Sequence, residues 1–369
     1  MIAPVPNENP TLPLARFTIV EVNAPNVPPC LRLATSLAGK IAADLGADVL
    51  KIEPPGGDTV RCMPPLLPTG ESALFHFLNT SKRSLVLDLD SESGRASLQR
   101  LLGNADAVLF EEPASVAALV RGTIATPIEI AAFPVEMDAA TRPVSELALQ
   151  ALGGLMHMIG EPARKPLKLG GHQASYAAGL TAFTGLAAAL AARDAGQRAP
   201  AVRVSLAEVL QWVNWKAASG AAATGTSPGS EFQTVPCRDG HVAVVYTVTQ
   251  WPALRRLIAD PRLEDPSFAT RAGRRQHIAQ LYDILMPWFA DKTRDEIGRT
   301  AQAKGVPFGP IFTPAELLAN EQYLARSFLA EMTHPTAGRL LMPQLPVQWN
   351  GRSFAPRPAP GLEQAELAA

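Results

Sequence analysis

The stretch FTIVEVNAPNVPPCLRLATSLAGKIAADLGADVLKIEPPGGD, residues 17–58, decides the fold. Residues 17–22 read as a first strand, and the Pro-rich residues 24–30 follow as a loop. Residues 34–45 have helical spacing, and Gly46 stands where a helix closes. Residues 48–52 (DVLKI) form a short β-branched strand that runs into EPPGGD, which continues as neither regular element. Strand, helix and strand within about 35 residues make a βαβ unit and imply a parallel sheet.

Outward from this unit, residues 84–89 and 107–110 add strands. Between them residues 91–102 form a helix that opens on Asp90-Ser91-Glu92-Ser93, with capping candidates and early acidic charge. The N-terminal third is therefore a doubly wound α/β region. No GxGxxG follows the first strand, which argues against a nicotinamide or flavin Rossmann protein. Residues 145–158 read as another apolar helix opening on Ser145-Glu146. Then comes KLGGHQASYAAGLTAFTGLAAALAAR, residues 168–193, a Gly-Gly turn entering a small-residue helix. Its apolar run, residues 177–192, predicts burial on most sides, and Ser175 is placed as its N-cap. Free N–H groups and the positive dipole end at such a start suit an anionic group of a ligand.

Residues 202–204 supply a strand and 207–217 a helix, and residues 220–229 (GAAATGTSPG) read as a linker. Beyond it the pattern is α+β: a strand at 240–246 and helices at 251–258, 275–289 and 294–304, with the chain from 331 returning to the first domain. The expected division is thus 1–220, 221–330 and 331–369. Lys+Arg number 33 against 34 Asp+Glu, so no basic field draws in nucleic acid or an anionic membrane. Cys30, Cys62 and Cys237 lie far apart and read as free thiols rather than metal ligands. The Pro-rich N-terminus lacks signal-peptide order, and the apolar run at 177–192 is short for a membrane span, so a cytoplasmic location is expected. His157 reads as a core histidine, Trp212, Trp215, Trp251 and Trp288 as packing residues, and Arg255, Arg256, Arg271, Arg274 and Arg275 as solvated surface.

Four blocks occur in order: LGADVLKIEPPGGDTVR, FLNTSKRSLVLDLDSESGR, GGLMHMIGEPARKP and KGVPFGPIFTPAELLAN. Together, over about residues 30–350, they resemble the family III CoA-transferases, the CaiB/BaiF group that includes the α-methylacyl-CoA racemases. The resemblance implies a large Rossmann-like domain, a small α+β domain and an interlocked dimer. It implies CoA or acyl-CoA as substrate, with Phe77, Leu78, Asn79, Lys82 and Arg83 along the adenosine and phosphates and Arg61 in the preceding block. Lys and Arg are suited to pairing with these anions. An alternative reading of Lys82 and Arg83 is a solvated turn before a strand.

The chain departs from the pattern where chemistry is expected. The family's nucleophilic Asp falls on Ser175, and the racemase His falls on Ser145, followed by Glu146. The Gly-rich segment near residue 130 is replaced by AAFPVEMDAATRP, the AGP by Ala34-Thr35-Ser36, and an Asn-Phe by Glu111-Glu112, which should repel phosphate. A serine can form an acyl ester but not the enzyme thioester that stores CoA between half-reactions. Three readings stay open: CoA transfer to a small carboxylic acid with Glu146 as the relocated carboxylate, a CoA-binding pseudoenzyme or partner subunit of an active relative, and hydrolysis by Ser175 with His172 as base. Racemisation has weak support.

Overall fold

The structure is a computed structural model that describes residues 12–24, 26–112, 114–135, 137, 144–160, 163–197, 199–216, 219–220, 232–351 and 353–362. The expected linker at 220–229 lies, beyond Gly220, outside the described residues, as does much of the 131–143 segment. The chain divides into two units, Met1–Trp215 with Ser327–Ala369, and Lys216–Arg326.

The first unit is built on six strands: β1 (Thr18–Val22), β2 (Asp48–Glu53), β3 (Arg83–Val86), β4 (Ala107–Glu111), β5 (Thr126–Ala131) and β6 (Val202–Ser205). They lie in the order β3-β2-β1-β4-β5-β6 and all pair parallel. β1 and β4 are almost wholly buried, as expected for strands covered on both faces. One face carries α1 (Pro29–Asp44) and α6 (Gln173–Asp194) over Ile19, Val49, Leu109 and Ile128. The other carries α3 (Glu92–Leu102) and α4 (Ala114–Val120) over Val20, Ile52, Val108 and Phe110.

α1 begins at Pro29, ahead of the expected residue 34, because proline is favoured in the first helical turn, where an N–H has no helical partner. α1 and α6 pack closely. A Cβ on Gly179 would stand 2.8 Å from the Ala34 carbonyl oxygen, so only glycine permits this approach. α6 is long and apolar enough to cross a membrane, by length and composition alone, yet Ala174, Ala178, Ala182 and Leu186 lie in the core. Leu180, Thr181 and Thr184 on the opposite face are exposed, so the expectation of burial on most sides is corrected to one face.

α5 (Glu146–Leu152) stops at Gly153-Gly154, where Gly154 takes φ 75°, and a separate 3-10 turn follows at Leu155–Met158. His157, in that turn, is exposed and not a core residue. α7 (Leu206–Val213) ends before Trp215; Trp212 and Trp215 are 77% and 58% exposed.

The second unit has an antiparallel sheet of β7 (Gln233–Cys237), β8 (Gly240–Val244) and β9 (Gly309–Pro310). Its core gathers Val242, Leu254, Leu281, Leu285, Phe289 and Ile297. The helix expected at 275–289 is two helices, Arg271–Gln276 and Ile278–Ala290. Arg274 is buried, its guanidinium over Trp251 at 4.6 Å, which corrects the surface reading.

Candidate active site

α6 starts in an unusual way. Its N-cap position is His172, which makes no side-chain cap, and Ser175 lies inside the first turn, fully buried. The cap comes from another helix. Glu146, the first residue of α5, accepts the Ala174 N–H on Oε1 at 2.6 Å and the Ser175 N–H on Oε2 at 3.2 Å. The Ser175 hydroxyl adds a third bond, to Oε2 at 2.8 Å. The N-cap expectation for Ser175 is thus corrected, and the anion foreseen at this helix start is the chain's own carboxylate.

Gln150, one turn along α5 and fully buried, donates from Nε2 to Glu146 Oε1 at 2.8 Å. Its Oε1 accepts the Leu169 N–H at 2.9 Å, which ties the turn ahead of α6 to the same helix. Lys168 clasps that turn from outside through the Leu169 and Gly171 carbonyls. Two neutral groups feel the Glu146 charge. Burial, helped by Glu146, pushes the Cys30 thiol up to about 11 and raises Tyr176 above its ordinary value. Neither Gln150 nor Tyr176 stood out in the sequence, where Cys30 read only as a free thiol, and only helical spacing from Glu146 to Gln150 signalled the pair.

His172 packs its ring edge-on against Tyr176 at 6.1 Å, while the Ser175 hydroxyl is given to Glu146. A Ser175–His172 pair is therefore not formed.

The residues expected along CoA lie around the start of β3. Arg61 forks onto Glu53 at 2.8 and 2.7 Å and lies 3.9 Å over the Phe75 ring. Arg83 forks onto Asp48 at 2.8 and 2.6 Å. Both stay partly exposed, as does Phe77, under the Lys40 ammonium. Leu78, in α2 (Ala73–Leu78), and Asn79 just after it are fully buried.

Lys82 is no surface cation. Its ammonium donates to Glu21 at 2.7 Å, the Ser36 carbonyl at 2.8 Å and Asn79 Oδ1 at 2.9 Å, so all three N–H donors are spent inside the chain. The solvated-turn reading is corrected, and direct contact with a phosphate is excluded while these bonds hold. Glu21 also takes Lys51 at 2.9 Å; Lys51 pairs with Asp58 at 2.7 Å, and Arg32 joins Asp58 to Glu111, each at 2.9 Å. Gly39 makes room for this network, since a Cβ there would meet Glu21 Oε2 at 2.1 Å. Burial draws the Lys82 ammonium down to about 8 despite Glu21, and burial of Asp58 is overcome by Lys51 and Arg32, which hold it well below the carboxylate range. Glu111 is thus an internal partner of Arg32 and presents no charge to a phosphate; Glu112 pairs with Arg203.

Glu71, His76 and His334 bring ligand-type atoms within 4.8 Å of one another, the one such group among the described residues. His334 spends Nδ1 on the Thr336 and Ala337 N–H groups and Nε2 on the Ala359 carbonyl, so it works as a clasp for the C-terminal segment.

The sequence matches the profile of CoA-transferase family III over residues 30–121 and 128–366. The chain belongs to this family. It is 31% identical over 324 residues to a probable CoA-transferase of Mycobacterium tuberculosis, covering 80% of this chain but only 40% of that protein. It is 27% identical over 367 residues to the succinyl-CoA–D-citramalate CoA-transferase of Chloroflexus aurantiacus, covering 91% and 87% of the two chains. In structure it is similar to a CaiB/BaiF family protein from Brucella suis, with a TM-score of 0.79 and 26% identity over 95% of this chain and 97% of that one. The mixed α/β fold with its parallel six-stranded sheet is therefore the CaiB/BaiF fold.

Proposed function

We propose that this family III protein transfers CoA between small carboxylic acids and that Glu146 carries the acyl group in place of an aspartate at position 175. The observation that supports it is the Glu146 carboxylate seated on the first turn of α6, where Ser175 supplies only a hydroxyl. A glutamate can do what Ser175 cannot. Glu146 Oε2 adds to the thioester carbonyl carbon, the C–S bond breaks, and a mixed anhydride forms with release of thiolate. Thiolate then adds to the Glu146 carboxyl carbon, the donor acid leaves, and a glutamyl thioester remains. The acceptor carboxylate reverses both steps, and no net proton or electron is consumed. Arg61, Arg83 and Phe77, partly exposed beside β3, are proposed to face the nucleotide end of CoA.

Steady-state transfer from succinyl-CoA to a panel of small carboxylates tests the reading. Parallel double-reciprocal lines are expected, with Glu146→Gln losing on the order of a thousandfold or more. Transfer that persists in Glu146→Gln overturns the assignment. A second reading, CoA binding without turnover, is favoured by the same capping bonds: a Glu146 that serves only α6 needs no substrate. Calorimetric binding of CoA together with absent turnover selects it.

A further inference from the structure

The geometry points to Gln150 as a positioning residue that holds Glu146 so that Oε2 is the acyl-accepting oxygen, an inference that rests on the transfer reading above. Oε1 is doubly engaged, by the Ala174 N–H at 2.6 Å and Gln150 Nε2 at 2.8 Å. Neither donor moves easily, since one is helix backbone and the other is a fully buried amide anchored on Leu169 N. Oε2 is held by the Ser175 N–H at a longer 3.2 Å and by the Ser175 hydroxyl. A hydroxyl turns away by a single rotation, so Oε2 is the oxygen that one side chain can release. Gln150 therefore chooses the oxygen and Ser175 gates it.

The same amide sets the approach to the site. By accepting from Leu169, Gln150 fixes the turn at Gly170-Gly171 relative to the carboxylate that the turn borders. Other ionisable neighbours do not compete for the role, because Cys30 on α1 and Tyr176 on α6 are both kept neutral by burial and by Glu146 itself.

Two substitutions separate positioning from mere support of the fold. Gln150→Glu keeps an acceptor for Leu169 but puts a second carboxylate against Oε1, so the two must share a proton. Carbon-13 NMR of labelled glutamate side chains, assigned with Glu146→Gln, reads this directly in the intact protein. The Glu146 signal is expected to titrate at least about one unit higher in Gln150→Glu than in the wild type. Gln150→Leu removes the donor to Oε1, and kcat is expected to fall about 10- to 100-fold with KM little changed. An unmoved Glu146 titration in Gln150→Glu, or an unchanged kcat in a folded Gln150→Leu, overturns the proposal. If wild-type protein shows no transfer at all, the functional reading fails instead, and the NMR titration still decides whether Gln150 controls the carboxylate.

Discussion

At the scale of single residues, the site turns on one carboxylate and one hydroxyl. Introducing an aspartate at 175 places a second anion where the Ser175 hydroxyl now meets Glu146 at 2.8 Å. Ser175→Asp should therefore destabilise the protein by about 1–3 kcal/mol at neutral pH, less at pH 5, where one carboxyl keeps its proton. Urea unfolding checks this, and the double variant Ser175→Asp with Glu146→Gln should recover most of the loss; equal losses in both backgrounds contradict it. Lys82 gives a second signature. Its folded value of about 8 lies below the ordinary lysine value of 10.5, so above pH 8 the unfolded chain binds the proton more tightly. Stability of the wild type relative to Lys82→Met should hence rise with pH between those values, by at most about 1.4 kcal/mol per unit, and be flat below them. That burial was not legible in the sequence. Nothing in FLNTSKRS shows that Glu21 and Ser36, far away in the chain, face the same space.

Among the elements, α1 and α6 pack closely over one face of the sheet, and Glu146 of α5 caps the start of α6. Gly179→Ala forces a Cβ to within 2.9 Å of Leu37 Cβ and 2.8 Å of the Ala34 oxygen. A loss of about 1–3 kcal/mol in unfolding free energy is expected, together with weaker substrate turnover; a neutral outcome would mean that the helices separate without cost. The C-terminal clasp is a separate element. His334→Ala frees the Ala359 carbonyl and two N–H groups, so limited proteolysis should cut near residues 353–362 sooner than in the wild type. The helices themselves were legible from apolar spacing, and β2 from its β-branched run into Pro54-Pro55. The cap of α6 was not. Its donors and acceptor are 28 and 29 residues apart in sequence, and local rules point to Ser175 or His172 before Glu146.

On the scale of the whole molecule, the parallel pairing of β1 with β2 agrees with the βαβ reading of residues 17–58, while the full order β3-β2-β1-β4-β5-β6 was not legible, because one such unit fixes the relation of its own two strands and not the places of the other four. The second unit, Lys216–Arg326, combines helices with an antiparallel sheet. What the fold alone does not carry is the chemistry, because a family scaffold outlasts any one residue on it. The claim that Glu146 has taken the acyl-carrying place is tested most directly by adding succinyl-CoA and hydroxylamine to the intact protein and mapping its peptides by mass spectrometry. The account predicts a hydroxamate on Glu146 that requires the thioester and is absent from Glu146→Gln. An adduct on Ser175, or none on a protein that transfers CoA, would contradict it.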